Sequence, residues 1–328
     1  MIVLLFTGGT ISMKFDAAAG GAVPTLSGED IVGATPGLRD VAEIEVEQWG
    51  RYPGPHMTIE RMWALRNRIA EHLARPEVTG VVVTHGTDTL EESAYLVARS
   101  LPPEKPVVFT GAMRPASDLG WDGPSNLLDA TRVASSPDSR GNGTLVCIGE
   151  RIHSALEVGK THTEARDAFE SPGLGALGEV DEGLVIYHRA LLKMASPIVP
   201  SVPAEPVDLV HAYAGADARM LDASRETGAR AVVLAAMGRG NVPPAMVDGV
   251  MRWVESGRPV IVSSRAQRGR VGPSYAYPGG GRRLLDAGAI FAFGRRPGQA
   301  RIETMLALGA GYSWGDLVAL FEDAVGGA

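Results

Sequence analysis

Ile2-Val3-Leu4-Leu5-Phe6-Thr7-Gly8-Gly9-Thr10 opens the chain with five apolar residues that run into a hydroxyl, two glycines and a second hydroxyl. A short continuous apolar run closed by a glycine turn is the pattern of a strand covered on both faces, as in parallel sheets flanked by helices. The pattern returns at Val81-Val82-Val83-Thr84-His85-Gly86-Thr87-Asp88-Thr89, and again at residues 106–110 before Gly111-Ala112-Met113-Arg114-Pro115. A fourth strand is expected at residues 144–148. Helical patterns at 59–73 and 89–98 lie between the strands; in the first, Ile59, Met62, Trp63, Leu65, Ile69 and Leu73 form a stripe. Strands alternating with helices predict an α/β fold with a mostly parallel, doubly wound sheet over residues 1–188.

Residues 189–206 change character, with Pro197, Pro200, Pro203 and Pro206 and no sustained period, and read as a linker. A smaller parallel α/β domain is expected over 207–328, with strands at 207–212, 229–236, 259–263 and 289–293. The length of 328 residues fits two domains.

Composition narrows the function classes. A net charge of −7, with basic residues only in short pairs such as Arg282-Arg283 and Arg295-Arg296, argues against a nucleic-acid partner. Cys147 is the single cysteine, so no internal disulfide is expected, and neither Cys nor the pattern of His56, His85, His153 and His162 has metal-site spacing. The opening apolar run lacks a basic region before it and stops at Thr7, unlike a signal peptide. No stretch approaches the roughly 20 apolar residues of a membrane helix. A soluble cytoplasmic protein is expected.

Ligands of open parallel sheets gather beyond the carboxyl ends of the strands, where these three turns converge. Thr10 and Thr87 bring hydroxyls, Asp88 a carboxylate, and the glycines allow close approach and free N–H groups for an oxyanion near Gly9 and Thr87. A hydroxyl needs a partner to become a nucleophile, and Lys160 in Gly159-Lys160-Thr161-His162-Thr163 is the candidate, as a base or as a cation holding Thr87 and Asp88. Residue by residue, blander readings stand beside these. The first turn is equally a tight loop, Thr87-Asp88-Thr89 equally a helix cap, His85 a structural hydrogen-bonding residue, and Lys160 a lysine in a polar loop.

Thr7-Gly8-Gly9-Thr10-Ile11 and His85-Gly86-Thr87-Asp88-Thr89-Leu90-Glu91-Glu92-Ser93-Ala94-Tyr95 resemble the two signatures of the bacterial-type L-asparaginase family. The likeness continues through Gly111-Ala112-Met113-Arg114-Pro115, Asp122-Gly123-Pro124-Ser125-Asn126-Leu127, Lys160-Thr161-His162-Thr163, Phe169-Glu170-Ser171-Pro172, Gly240-Asn241 and Ser263-Ser264-Arg265, nearly the whole chain. The resemblance implies hydrolysis of asparagine to aspartate and ammonia through an acyl-enzyme, with no metal or organic cofactor. It implies Thr10 as nucleophile, supported by Thr87, Asp88 and Lys160, with Asp88 also gripping the substrate amino group. Substrate is expected against Gly9, Gly54, Pro55, Gly86, Thr87, Asp88 and Ala112. The resemblance also implies a homo-oligomer, dimer or tetramer, in which Asn241 reaches a neighbouring subunit's site.

Three departures stand out. The loop after the first signature normally supplies a tyrosine, yet residues 11–30 hold none, and Ala22 falls near its place while Phe15 is the sole aromatic. Where a serine normally meets the substrate carboxylate, Tyr52-Pro53-Gly54-Pro55-His56-Met57-Thr58 offers Gly54. The glutamate of one family branch is replaced by Gly272-Pro273-Ser274-Tyr275-Ala276-Tyr277-Pro278, in which Tyr275 or Tyr277 either supplies a phenol or packs the loop. The rival readings are a glutaminase or other amidase, the amidase subunit of a tRNA-dependent amidotransferase, which normally carries an extra N-terminal domain, and a non-catalytic amino-acid sensor.

Overall fold

In a computed structural model, which describes residues 1–102, 104–191 and 196–322, the opening apolar run is strand β1 (Ile2–Gly8), buried along its whole length. The chain divides into two compact units, Met1–Pro197 and Ile198–Ala328. Of the linker expected over 189–206, residues 192–195 lie outside the described residues, as do 323–328 of the second domain.

In the first unit β1 is followed by a hairpin, β2 (Met13–Asp16) and β3 (Gly21–Pro24), and by short helices α1 (Gly28–Gly33) and α2 (Leu38–Val41). Then come β4 (Ile44–Tyr52), α3 (Ile59–Leu73), β5 (Gly80–Thr84), α4 (Leu90–Ser100), β6 (Val107–Thr110), α5 (Gly123–Ser135) and β7 (Thr144–Ile148). The short strands β8 (Arg151–Ser154), β9 (Gly159–Lys160), β10 (Phe169–Glu170), β11 (Gly178–Asp181) and β12 (Leu184–Tyr187) complete it. The main sheet has the order β12-β11-β8-β7-β6-β5-β1-β4. From β7 to β4 neighbours run parallel, and the β8, β11 and β12 end is antiparallel. Helix α3 begins at Thr58, whose side chain accepts the Arg61 N–H as an N-cap, and buries Ile59, Met62, Trp63, Leu65 and Ile69, the predicted stripe less Leu73.

The second unit holds β13 (Val207–His211), α6 (Arg219–Glu226), β14 (Ala231–Ala236), α7 (Val247–Glu255), β15 (Val260–Ser264), α8 (Gly281–Asp286), β16 (Ile290–Phe291), α9 (Pro297–Gly309) and α10 (Trp314–Glu322). Its four strands are parallel in sequence order, around a core that includes Val232, Leu234, Trp253 and Val262. The α/β expectation holds in both units.

Four strands of the main sheet, β4, β8, β11 and β12, escaped the apolar-run reading. β4 alternates Ile44-Glu45-Val46-Glu47, with Ile44 and Val46 packed on the core, Glu47 paired to Arg68 of α3 and Glu45 to Arg75 just past its end. An edge strand has one face to fill, so its signal is period two rather than a run.

Register sets up the functional edge. Phe6 pairs with Thr84, and Thr84 with Thr110, so β5 and β6 end level while β1 runs on to Gly8. Thr7 Oγ1 donates to Thr84 O at 2.8 Å and His85 N to Thr110 O at 2.8 Å, carrying the alignment past the strands. The following turns then stack backbone on backbone. Gly9 has φ +83°, and a Cβ there would lie 2.5 Å from Gly86 N; a Cβ on Gly86 would lie 2.5 Å from both N and Cα of Gly54. Neither position accepts a side chain without the layers parting.

Two histidines are buried beside this edge and in β8. His85 Nδ1–H donates to Gly86 O at 2.8 Å and Nε2 accepts from Ser93 Oγ at 2.9 Å, so the structural reading of His85 fits its surroundings. His153 Nδ1 lies 3.0 Å from Ser171 Oγ. Burial lowers both to a pKa of about 4, below the ordinary imidazole value.

Two predictions follow from these contacts. Gly86→Ala should destabilise the protein by about 1–3 kcal/mol, as expected for overpacking at a rigid contact, in denaturant unfolding. Wild-type stability there would refute the stacked-turn geometry. The folded histidines resist protonation, so their contribution is complete above about pH 6.5 and is lost as pH falls towards about 4. The melting temperature should drop over that window, and His153→Gln should make the drop shallower; an unchanged slope would exclude His153.

Candidate active site

Lys160 reaches the second turn from outside the main sheet. It sits on β9, which pairs with β10 through two residue pairs, Lys160 with Phe169 and Gly159 with Glu170. Its Nζ donates to Thr87 Oγ1 at 2.9 Å and to Asp88 Oδ1 at 2.7 Å. The lysine side chain is 16% exposed while that of Asp88 is 59% exposed. An ion pair open to water on one side adds little stability, so its main effect is to fix where the ammonium and the two oxygens stand. Of the two roles open to Lys160, the paired arrangement matches a cation that holds Thr87 and Asp88.

Thr89 does not cap the helix. It occupies the N-cap of α4 but makes no side-chain cap bond, and its hydroxyl instead donates to Gly54 O at 2.8 Å. The helix-cap reading is therefore corrected: this hydroxyl ties the second turn to the short helical turn Gly54–His56 after β4, which also carries Pro55. Gly54 leaves little room for anything larger, since a Cβ there would lie 3.2 Å from Asp88 Cβ and 3.3 Å from Asp88 N.

Thr10 starts a single helical turn, Thr10–Ser12, with intermediate exposure. Ser12 Oγ donates to Gly9 O at 2.8 Å and Gly9 N donates to Tyr52 O at 2.9 Å. The second bond takes up the Gly9 N–H itself, so an oxyanion donor near Gly9 would be another N–H of that turn. The hairpin that follows pairs Phe15 with Ala22, both exposed, so the place expected for a loop tyrosine holds a methyl group.

The third turn has a support that the sequence reading quoted without assigning. Asp122 accepts Met113 N at 3.0 Å and Arg114 N at 2.9 Å, and Asn126 Nδ2 donates to Asp122 Oδ2 and Gly111 O, each at 3.0 Å. Ala112 is fully buried within this turn, and a Cβ on Gly111 would lie 3.2 Å from Thr87 Cγ2. Polar residues opening a helix directly after a strand-end turn were the available signal. They fix the backbone against which Thr87 packs.

The remaining candidates lie in the second unit. Asn241 Oδ1 accepts Gly281 N at 3.1 Å, and the residue pairs with Met237 across the turn after β14. Tyr275 and Tyr277 are half exposed, with ring centroids 5.5 Å apart, in a loop whose carbonyls accept Arg282 N and Gly280 N. These contacts fit packing of the loop. Among the described residues no three His, Cys, Asp or Glu side chains are grouped to hold a metal ion.

Comparison with known proteins places this geometry. Residues 1–193 match the family model for the asparaginase N-terminal domain, and residues 206–321 match the glutaminase/asparaginase C-terminal domain. The chain is 36% identical over 326 residues to a probable L-asparaginase of Deinococcus radiodurans, covering 99% of this chain and 98% of that protein. It is 34% identical over 315 residues to L-asparaginase 2 of Bacillus subtilis, covering 94% and 82% respectively. A crystal structure of a probable cytoplasmic L-asparaginase from Campylobacter jejuni superposes with a TM-score of 0.88 at 32% identity, over 98% of each chain. With both domain models matched in order, and a lysine, threonine and aspartate joined at the second signature, the chain belongs to the bacterial-type asparaginase family.

Proposed function

We propose that the protein hydrolyses the side-chain amide of L-asparagine to L-aspartate and ammonia through a covalent ester on Thr10. The observation that carries this reading is the Lys160 ammonium joined to both Thr87 and Asp88, on a turn packed through Gly86 against the Thr10 turn. Thr10 Oγ1 attacks the amide carbon, the carbon–nitrogen bond breaks, and the threonine proton leaves with the nitrogen as ammonia. Water then attacks the ester, returns a proton to Thr10 and releases aspartate.

Lys160 supports both halves electrostatically. An ammonium that donates to Thr87 Oγ1 makes that hydroxyl a stronger donor towards the reacting groups, and it balances the Asp88 charge. Asp88, largely exposed on its outer side, is available to the substrate ammonium. The Thr87 N–H remains as an oxyanion donor once Gly9 N–H is excluded. The same reading makes the protein a cytoplasmic enzyme, as the Campylobacter relative is described, and a homo-oligomer of two or four subunits.

An amidase with weaker binding or a shifted substrate preference is the second reading, favoured by Gly54. A missing hydroxyl at the substrate carboxylate costs about 1.5–3 kcal/mol of binding unless backbone or water replaces it.

Thr10→Ala should abolish ammonia release from asparagine and glutamine while the circular dichroism spectrum and melting temperature stay at wild-type values. Turnover near wild type would sink the assignment of Thr10, and binding of asparagine by the wild type without turnover would favour a sensor. Gly54→Ser should lower KM for asparagine by roughly 10-fold or more, the factor that a bond of that strength corresponds to. Unchanged KM values would show that this position does not meet the substrate carboxylate.

A further inference from the structure

We propose that Glu91 is a positioning residue for Lys160, acting through the lysine's backbone amide; the proposal rests on the role given to Lys160 above. Lys160 N donates to Glu91 Oε2 at 2.5 Å, across 69 residues of sequence. Glu91 stands in the first turn of α4, immediately after the turn that carries Thr87 and Asp88. One short segment, residues 87–91, therefore holds Lys160 at both ends: two oxygens take its Nζ and a carboxylate takes its N–H.

The need for such a hold comes from the topology. β9 is two residues long and lies outside the main sheet, with β10 as its ladder partner. On the side of β10 the ladder continues through Thr161 N to Ala168 O at 2.7 Å. The Lys160 N–H joins the strand to α4, and a carboxylate acceptor makes that bond about twice as strong as one between neutral groups. Without it, the backbone of β9 loses one tie to α4 while the hairpin with β10 stays intact. A displacement of about 1 Å at a catalytic group is enough to cost about 100-fold in rate.

The test combines kinetics with amide exchange at Lys160. Glu91→Ala should lower kcat for asparagine by about 10- to 100-fold with KM changed by less than about threefold. Glu91→Gln keeps an acceptor oxygen at the same reach and should restore kcat to within about threefold of wild type. Glu91→Asp, one methylene shorter, replaces the alanine variant if that one fails to fold, and should be impaired in the same way. The Lys160 amide should be protected from hydrogen exchange in wild type and Glu91→Gln and exchange at least about tenfold faster in Glu91→Ala, while amides of β5 and β6 keep their protection.

Wild-type kcat in Glu91→Ala would overturn the proposal. So would a Glu91→Gln enzyme as slow as the alanine variant with its Lys160 amide still protected, since the effect would then be one of charge rather than position. Wild-type protein that releases no ammonia from asparagine would overturn the proposed function instead, and the exchange data alone would then decide whether Glu91 holds Lys160.

Discussion

Everything around the site depends on the contact of three strand-end turns without side chains between them. Gly9 lies on Gly86 and Gly86 on Gly54, each so close that a methyl group would meet backbone atoms at 2.5 Å. Backbone is stiff and has no rotamer to give way, so this contact fixes the distance between layers more tightly than side-chain packing would. Thr10, Thr87 and Asp88 sit one or two residues from these glycines, and their relative placement is inherited from the stack.

The stack in turn rests on the sheet. β1 and β5 are buried on both faces; Thr7 Oγ1 on Thr84 O ties their carboxyl ends together, and His85 N on Thr110 O ties that of β5 to β6. Asp122 and Asn126 hold the turn after β6 in the same way, using backbone N–H and C=O groups that would otherwise be left unsatisfied. Lys160 is the exception. It comes from a two-residue strand off the sheet and depends on polar contacts, with Glu91 and with Thr87 and Asp88, for its position.

Much of the fold was legible where burial was complete. The runs at 2–6 and 144–148 and the stripe of 59–73 correspond to β1, β7 and α3, with ends differing by no more than two residues. β4 was not legible as a run because one of its faces carries Glu45 and Glu47 towards Arg75 and Arg68. Of the site, the motif blocks identified the residues but not their bonds. Thr89 has the composition of a helix cap yet spends its hydroxyl on Gly54, and the Gly9 N–H that composition leaves free is taken by Tyr52. Hydrogen-bond choices of this kind depend on which loop arrives opposite, and local sequence contains no record of that.

The sequence by itself determined that this is a parallel α/β chain with hydroxyl and glycine turns at its strand ends, since hydrophobic periodicity and turn chemistry act over a few residues. Its motif blocks also determined the family. Tertiary structure alone decided which turn touches which, that Lys160 meets Thr87 and Asp88 across more than 70 residues, and that Glu91 takes the lysine's amide. Those contacts arise from strand order and register, which are settled by the packing of the whole sheet and by no single segment within it.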